Sequence, residues 1–196
     1  LGWNPGGEQE IFTMEDLLTL FSIERVHKAG GVFDIEKLKW FNHEHLKLLS
    51  DEEYAKRLRE FSGREFDMRL VPLIKERAQT LAEATGLIQE YDFVTTEPNP
   101  DCELLLQGGK LSAETTSNHL KALAELLEHI PDEGFTAAQL KDILWPYATD
   151  QGRGEVLWPL RVALSGAEKS PDPFTIAGLI GKKTTLTRIA QALTKL

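Results

Sequence analysis

Gly154-Glu155-Val156-Leu157-Trp158-Pro159-Leu160-Arg161-Val162-Ala163-Leu164-Ser165-Gly166 is the stretch whose reading decides the fold. Val156, Leu160, Ala163 and Leu164 fall at i, i+4, i+7 and i+8, which is one apolar stripe of a helix. Arg161 stands off that stripe. Pro159 lies inside the helix, where it removes a backbone donor and is expected to kink the axis. Downstream, Pro173 opens a helix through Ile176, Leu179 and Ile180. Gly181 breaks it, and Leu186, Ile189, Ala190 and Leu193 form the stripe of a last helix.

The same period runs upstream. Thr136-x-x-Gln139 is a capping box that opens a helix through Leu140, Ile143 and Leu144. Ser112 caps a helix through Leu120, Leu123, Leu126 and Leu127, and Pro131 to Gly134 make a turn. Tyr91 to Leu106, with Pro98 and Pro100, reads as a connection. Phe66 to Glu83 reads as a helix with Leu70, Leu73, Ile74 and Leu81 apolar, Pro72 in its first turn or at a kink, and Gly86 at its C′ position. Ser50-x-x-Glu53 opens a helix through Tyr54, Leu58 and Phe61 that Gly63 ends. Thr13 caps a short helix with Leu17, Leu18 and Phe21 on its core face. Ser22 and Asp34 are further caps around a turn at Gly30-Gly31, and a helix from Asp34 carries Leu38, Phe41, Leu48 and Leu49. No stretch alternates as a strand does, so the fold class is all-α, a helical bundle.

The chain of 196 residues is long enough to bury a sizeable core without staples. Its single cysteine, Cys102, excludes an internal disulfide and fits a reducing compartment, the cytoplasm. No apolar run reaches the ~20 residues of a membrane span. The net charge of −9 argues against a nucleic-acid partner, but the charge is unevenly spread. Residues 151–196 hold seven Lys and Arg against three acids, so an acidic body carries a basic end that can face phosphate.

Several motifs fail on inspection. Gly178-x-x-Gly181-Lys182-Lys183-Thr184 resembles a phosphate loop, but that spacing places Ile176 where the first glycine belongs and Lys183 where Ser or Thr belongs. Gly152-Arg153-Gly154 lacks a third glycine. His43 and His45 are two apart on a helix and do not face each other, and His119 and His129 are isolated, so no metal and no cofactor are expected here. No nucleophile motif is present and no catalytic residue is assigned.

Leu157 to Gly166, the Pro171-x-Pro173-Phe174 beyond it, and Leu179-Ile180-Gly181-Lys182 resemble the C-terminal end of bacterial-type glutamyl-tRNA synthetases. A second block agrees and stands in the family's order: Phe21-Ser22-x-Glu24-Arg25-Val26, then Phe33-Asp34-x-Glu36-Lys37-Leu38-x-Trp40-x-Asn42. The resemblance covers essentially the whole chain, most weakly between residues 87 and 130. The family's catalytic signatures, of the His-Ile-Gly-His and Lys-Met-Ser-Lys-Ser types, are absent. The chain opens on Leu1 and reads as a fragment. The resemblance implies an anticodon-binding module in two helical subdomains, residues 40–90 and 91–196, preceded at 1–39 by the end of a stem-contact region. It also implies the anticodon stem-loop of tRNA(Glu) as partner, a catalytic domain in cis that uses ATP and Mg²⁺, and a monomer.

The resemblance further implies roles for particular residues. Arg77, in Glu76-Arg77-x-x-Thr80-Leu81, would contact the third anticodon base, a cytosine. The chemistry suits this. Cytosine's pairing edge has two acceptors and one donor, guanine's has two donors and one acceptor, and arginine only donates. The bland alternative is an ion pair with Glu76, Asp67 or Glu83. Arg161 would contact the middle base by hydrogen bonding or stacking; the alternative is a pairing with Glu155 or another acid. Ser170, Pro171, Pro173 and Phe174 would form the turn that meets the first base, or would simply start a helix, with Ser170 and Asp172 as caps and Phe174 in the core. Lys182, Lys183 and Arg153 are candidate phosphate contacts, or solvated charges. Two rival functions are a helical protein-interaction module and a small nucleotide-binding enzyme built on the Lys182 region.

Overall fold

The computed structural model describes residues 2–27 and 32–196, and within them the regular structure is helical. The turn expected at Gly30-Gly31 lies outside the described residues. The resemblance implies boundaries after residues 39 and 90; the chain divides into two compact units, Leu1–Leu87 and Ile88–Leu196.

In the first unit, α1 (Met14–Leu20) begins at a capping box in which Thr13 accepts from the amide of Asp16 and Asp16 accepts from that of Thr13. Asp34 caps α2 (Ile35–Lys47) through the amides of Glu36 and Lys37. Ser50 caps α3 (Asp51–Ser62), which ends on Gly63 in the left-handed region at φ 65°. After a 3-10 turn at Met68–Leu70 comes α4 (Val71–Arg77), with Pro72 in its first turn, where no donor is needed. Tyr54, Ala55, Leu58, Leu70, Val71 and Ile74 form the buried contact of α3 with α4.

Two expectations fail in this unit. The helix expected over residues 66–83 stops at Arg77. Ala78 leaves the helical region (φ −91°, ψ 126°), and α5 (Leu81–Glu90) starts afresh, with Gly86 inside it rather than past its end. The cause is local: Thr80 Oγ1 accepts from the amide of Glu83 at 3.1 Å, and Glu83 accepts from the amide of Gln79 at 2.9 Å, a cap that starts a new helix. The expected core face of α1 is also not a core. Leu18 and Phe21 are exposed, as are Leu38 and Leu48 of the α2 segment.

The second unit opens with a 3-10 turn at Asp92–Val94 and the single turn of α6 (Cys102–Leu105), inside the stretch read as a connection. Then come α7 (Ala113–Glu128), capped by Ser112, and α8 (Ala137–Gln151), capped by Thr136. α9 (Arg153–Ser165) ends on Gly166 at φ 69°, and α10 (Pro173–Leu193) is capped by Asp172 and interrupted at Gly181 (φ 79°, ψ 166°). Both α8 and α9 run through an interior proline, Pro146 and Pro159. α9 lies against α6, α7, α8 and α10. Its expected stripe of Val156, Leu160, Ala163 and Leu164 is buried, and so are Pro159, Val162 and Ser165. From Pro159 to Ser165 every residue but Arg161 is buried, and Arg161 is half-buried.

Candidate nucleic-acid interface

Arg77 is the last residue of α4 and its side chain is exposed. The turn beyond it is braced from α2. Asn42 Nδ2 donates to the carbonyl of Gln79 at 2.6 Å, and the His43 ring nitrogen Nδ1 lies 2.8 Å from the carbonyl of Ala78. Ala78 itself is buried. The turn is thus pinned by its carbonyls, by its buried methyl and by the Thr80 cap, so the base of the exposed Arg77 side chain is fixed. Two neighbouring cations have carboxylate partners. Arg69 forks onto Asp67 at 3.0 and 2.7 Å, which holds the Asp67 carboxyl below its usual range. Lys75 Nζ donates to the carbonyl of Leu49 at 2.5 Å and to Asp51 at 3.0 Å.

Arg161 is held by two contacts. Its guanidinium carbon lies 4.8 Å from the centre of the Trp158 ring, one helical turn back, and its NH1 donates to Ser170 Oγ at 3.1 Å. Trp158 is itself anchored, since its Nε1 donates to the carbonyl of Leu104 at 2.8 Å. Burial pushes the Arg161 guanidinium down from its ordinary value while Glu168 pulls it back up; it stays a cation. The pairing with Glu155 posed as the alternative is not formed. Beside Trp158 a recess of about 670 Å³ is lined by Asp101, Glu103, Leu104, Lys110 and Glu168, among others. Three carboxylates there repel phosphate and offer acceptors to the amino groups of bases.

The turn from Ser170 to Phe174 is built around Asp172, whose Oδ1 accepts from the amides of Phe174 and Thr175 and whose Oδ2 accepts from Thr175 Oγ1. Ser170 caps nothing; its hydroxyl meets Arg161 and the carbonyl of Pro171. Pro171 is half-buried. Pro173 and Phe174 are buried, and the Phe174 ring lies 6.2 Å from that of Trp145, so Phe174 shapes the loop from below and offers no open face to a base. Ser170 and Pro171 are half-buried, and Asp172 is the exposed residue of the loop.

Of the phosphate candidates, Lys182 is engaged within the chain. Its Nζ donates to the carbonyls of Glu128 and Ile130 at 2.9 and 2.8 Å, so its charge sits on the C-terminal end of α7. Lys183 is exposed. Arg153 is exposed with its guanidinium carbon 4.6 Å from the centre of the Trp145 ring. The sequence reading missed Trp158, Asn42 and His43 as supports. The i, i+3 spacing of Trp158 and Arg161 was a visible signal; nothing local pointed from α2 to the turn after Arg77.

The model of the anticodon binding domain family matches residues 36–193. Glutamate–tRNA ligase of Flavobacterium johnsoniae is 39% identical over 100% of this chain and 39% of its own length. That of Christiangramia forsetii is 38% identical over 98% of this chain and 39% of its own. Among solved structures, the glutamate tRNA ligase of Elizabethkingia meningosepticum superposes with a TM-score of 0.70 at 30% identity, covering 100% of this chain and 39% of that one. Glutamate–tRNA synthetase of Elizabethkingia anophelis gives 0.65 at 29% identity, over 99% of this chain and 38% of that one. The chain therefore spans about two fifths of the length of the relatives it matches. The chain belongs to the anticodon-binding domain family and is the counterpart of the anticodon-binding portion of glutamate–tRNA ligases.

Proposed function

We propose that this chain reads the anticodon of tRNA(Glu) on behalf of a glutamate–tRNA ligase. The ligase's catalytic domain, in cis, would activate glutamate with ATP and Mg²⁺ and transfer it to that tRNA. The module itself makes no bond. It works in the cytoplasm as a monomer, and its discrimination lies in three contacts. Arg77 donates to the third base and accepts cytosine over guanine. Arg161 stacks on or hydrogen-bonds the middle base. Ser170 and Pro171, shaped from below by Pro173 and Phe174, present backbone and hydroxyl groups to the first.

The observation that carries this reading is the preset geometry of Arg161. A guanidinium laid on an anchored indole and tied to the hydroxyl of the neighbouring loop has lost its freedom before any ligand arrives. Single-stranded RNA bases are recognised by such planes and fixed donors. Ordering a free arginine on binding would cost about 0.5–1.5 kcal/mol.

The test is binding of labelled anticodon stem-loops with glutamate and glutamine anticodons to the parent chain and to Arg77→Gln. The parent is expected to prefer the glutamate loop, and the variant to lose that preference. Affinity should fall steeply with salt, with a log–log slope of about 0.7 per phosphate neutralised. Equal loss for both loops would remove the base-reading role of Arg77. Salt-insensitive capture of a protein, with no affinity for either loop, would favour the interaction-module reading instead.

A further inference from the structure

Trp145, on α8, has two cations at its ring. Lys141, one turn earlier on the same helix, places Nζ 5.4 Å from the ring centre, and Arg153, at the start of α9, places its guanidinium carbon at 4.6 Å. Both cations are exposed. Among the described residues neither lies within ion-pair distance of a carboxylate, although the chain carries 31 acids against 22 Lys and Arg. Ion pairs such as Lys37–Glu10 and Lys75–Asp51 are found elsewhere in the chain. Arg153 makes a long hydrogen bond, 3.4 Å, to Thr149 Oγ1. Asp172, which lines the recess beside Trp145, has both oxygens engaged in capping α10.

The patch adjoins the base-reading loop. A recess of about 440 Å³ is lined by Ala137, Lys141 and Trp145 on one side and by Asp172, Phe174 and Thr175 on the other. Trp145 thus shares a recess with Asp172, Phe174 and Thr175, the residues that follow Ser170 and Pro171 in the chain. Two cations without carboxylate partners on an indole plane match a nucleotide's two chemistries. The cations neutralise a phosphodiester, and the indole takes the flat face of a base or a ribose.

We propose that Lys141, Trp145 and Arg153 form a second RNA-binding surface, which grips the phosphate and the base or ribose of a nucleotide flanking the anticodon. The proposal rests on the anticodon-reading function above. It assigns Arg153 and Lys141 to affinity and register, while base identity is read at Arg77 and Arg161, because phosphate contacts carry no sequence information.

The experiment measures affinity for the glutamate and glutamine stem-loops as a function of salt, for the parent chain, Lys141→Gln, Arg153→Gln and Trp145→Phe. Each cation variant should lower the log–log slope by about 0.7 and weaken binding about fourfold at 0.15 M salt, since one phosphate fewer is neutralised. The loss should be equal for the two loops. Trp145→Phe keeps an aromatic platform and should weaken both loops severalfold with the slope unchanged. A parent chain that prefers the glutamate loop, with slope and affinity unmoved in both cation variants, would overturn this surface and leave the anticodon reading intact. A changed preference between the loops in either cation variant would also overturn it. A parent chain with no affinity for either loop would overturn both proposals.

Discussion

Arg188 offers the sharpest test of how the interface is supported. It lies in the second half of α10 and is 5% exposed. Its NH1 donates to the carbonyl of Leu164 at 2.6 Å, and its NH2 to those of Phe93 at 2.7 Å and Thr96 at 3.0 Å. Leu164 is next to last in α9, so its carbonyl is one of the helix's orphan acceptors, and Arg188 serves as its cap. The same guanidinium ties that helix end to the turn at Asp92–Val94. Burial pushes this guanidinium down from its usual value, opposed by Glu97, and it remains charged. Arg188→Met removes three charge-assisted hydrogen bonds, about 1.5–3 kcal/mol each, or roughly 5–9 kcal/mol gross. Release of a buried charge offsets several of these, so the net loss should be about 3–5 kcal/mol. In a chain of this size that lowers Tm by roughly 6–20 °C. The assay is urea and thermal unfolding monitored by far-UV circular dichroism. Arg188→Lys, with one head in place of a fork, should fall between the parent and the Met variant. A loss below about 1 kcal/mol for Arg188→Met would refute the reasoning.

Single contacts elsewhere have consequences of their own. Tyr54 is fully buried, its hydroxyl has no partner among the described residues, and burial pushes its pKa up to about 12. A raised value in the folded state gives stability that is complete below the unfolded value, near 10, and is lost as pH rises toward 12. The loss should be roughly 1–2 kcal/mol once solvent screening is allowed for, and Tyr54→Phe should abolish it without destabilising the chain at pH 7, as alkaline unfolding curves would show. Gly166 sits at φ 69°, and a Cβ built there would lie 2.8 Å from Cβ of Pro98. Gly166→Ala should therefore cost about 2–4 kcal/mol by urea titration, from left-handed strain and overpacking together. Asp172→Ala removes the cap of α10 and should cost about 1 kcal/mol in the same assay, more than Asp172→Asn, which can still accept.

Much of the fold was legible because helix ends are written locally. Asp34, Ser50, Ser112 and Thr136 all cap as their spacing indicates, and Gly63 and Gly181 end or break helices because they alone adopt the required φ cheaply. The break after Arg77 was legible too, in Thr80-x-x-Glu83, but the apolar period from Leu70 to Leu81 ran through it. Ala78 keeps the stripe buried even where the helix stops, so periodicity alone cannot see the gap. Gly86 misled for the converse reason: a glycine inside a helix carries the same letter as one at its end. The apolar face of α1 shows that a stripe does not say what covers it. Arg161 and the Ser170 loop were singled out through the resemblance, and the structure joins them by the bond from Arg161 NH1 to Ser170 Oγ. The uses of Lys182, Arg188 and Asn42 were not, because each reaches a carbonyl far away in sequence, and a lysine that caps another helix looks the same as one that binds phosphate.

The central claim is that a donor-only side chain on a braced turn tells cytosine from guanine. Its most direct measurement is the affinity of the parent chain for two stem-loops identical except at the third anticodon base. The account predicts that the cytosine loop binds about 5- to 150-fold more tightly, the range that ~1–3 kcal/mol for an unpaired donor implies. Equal affinity for the two loops, or preference for guanine, would contradict it.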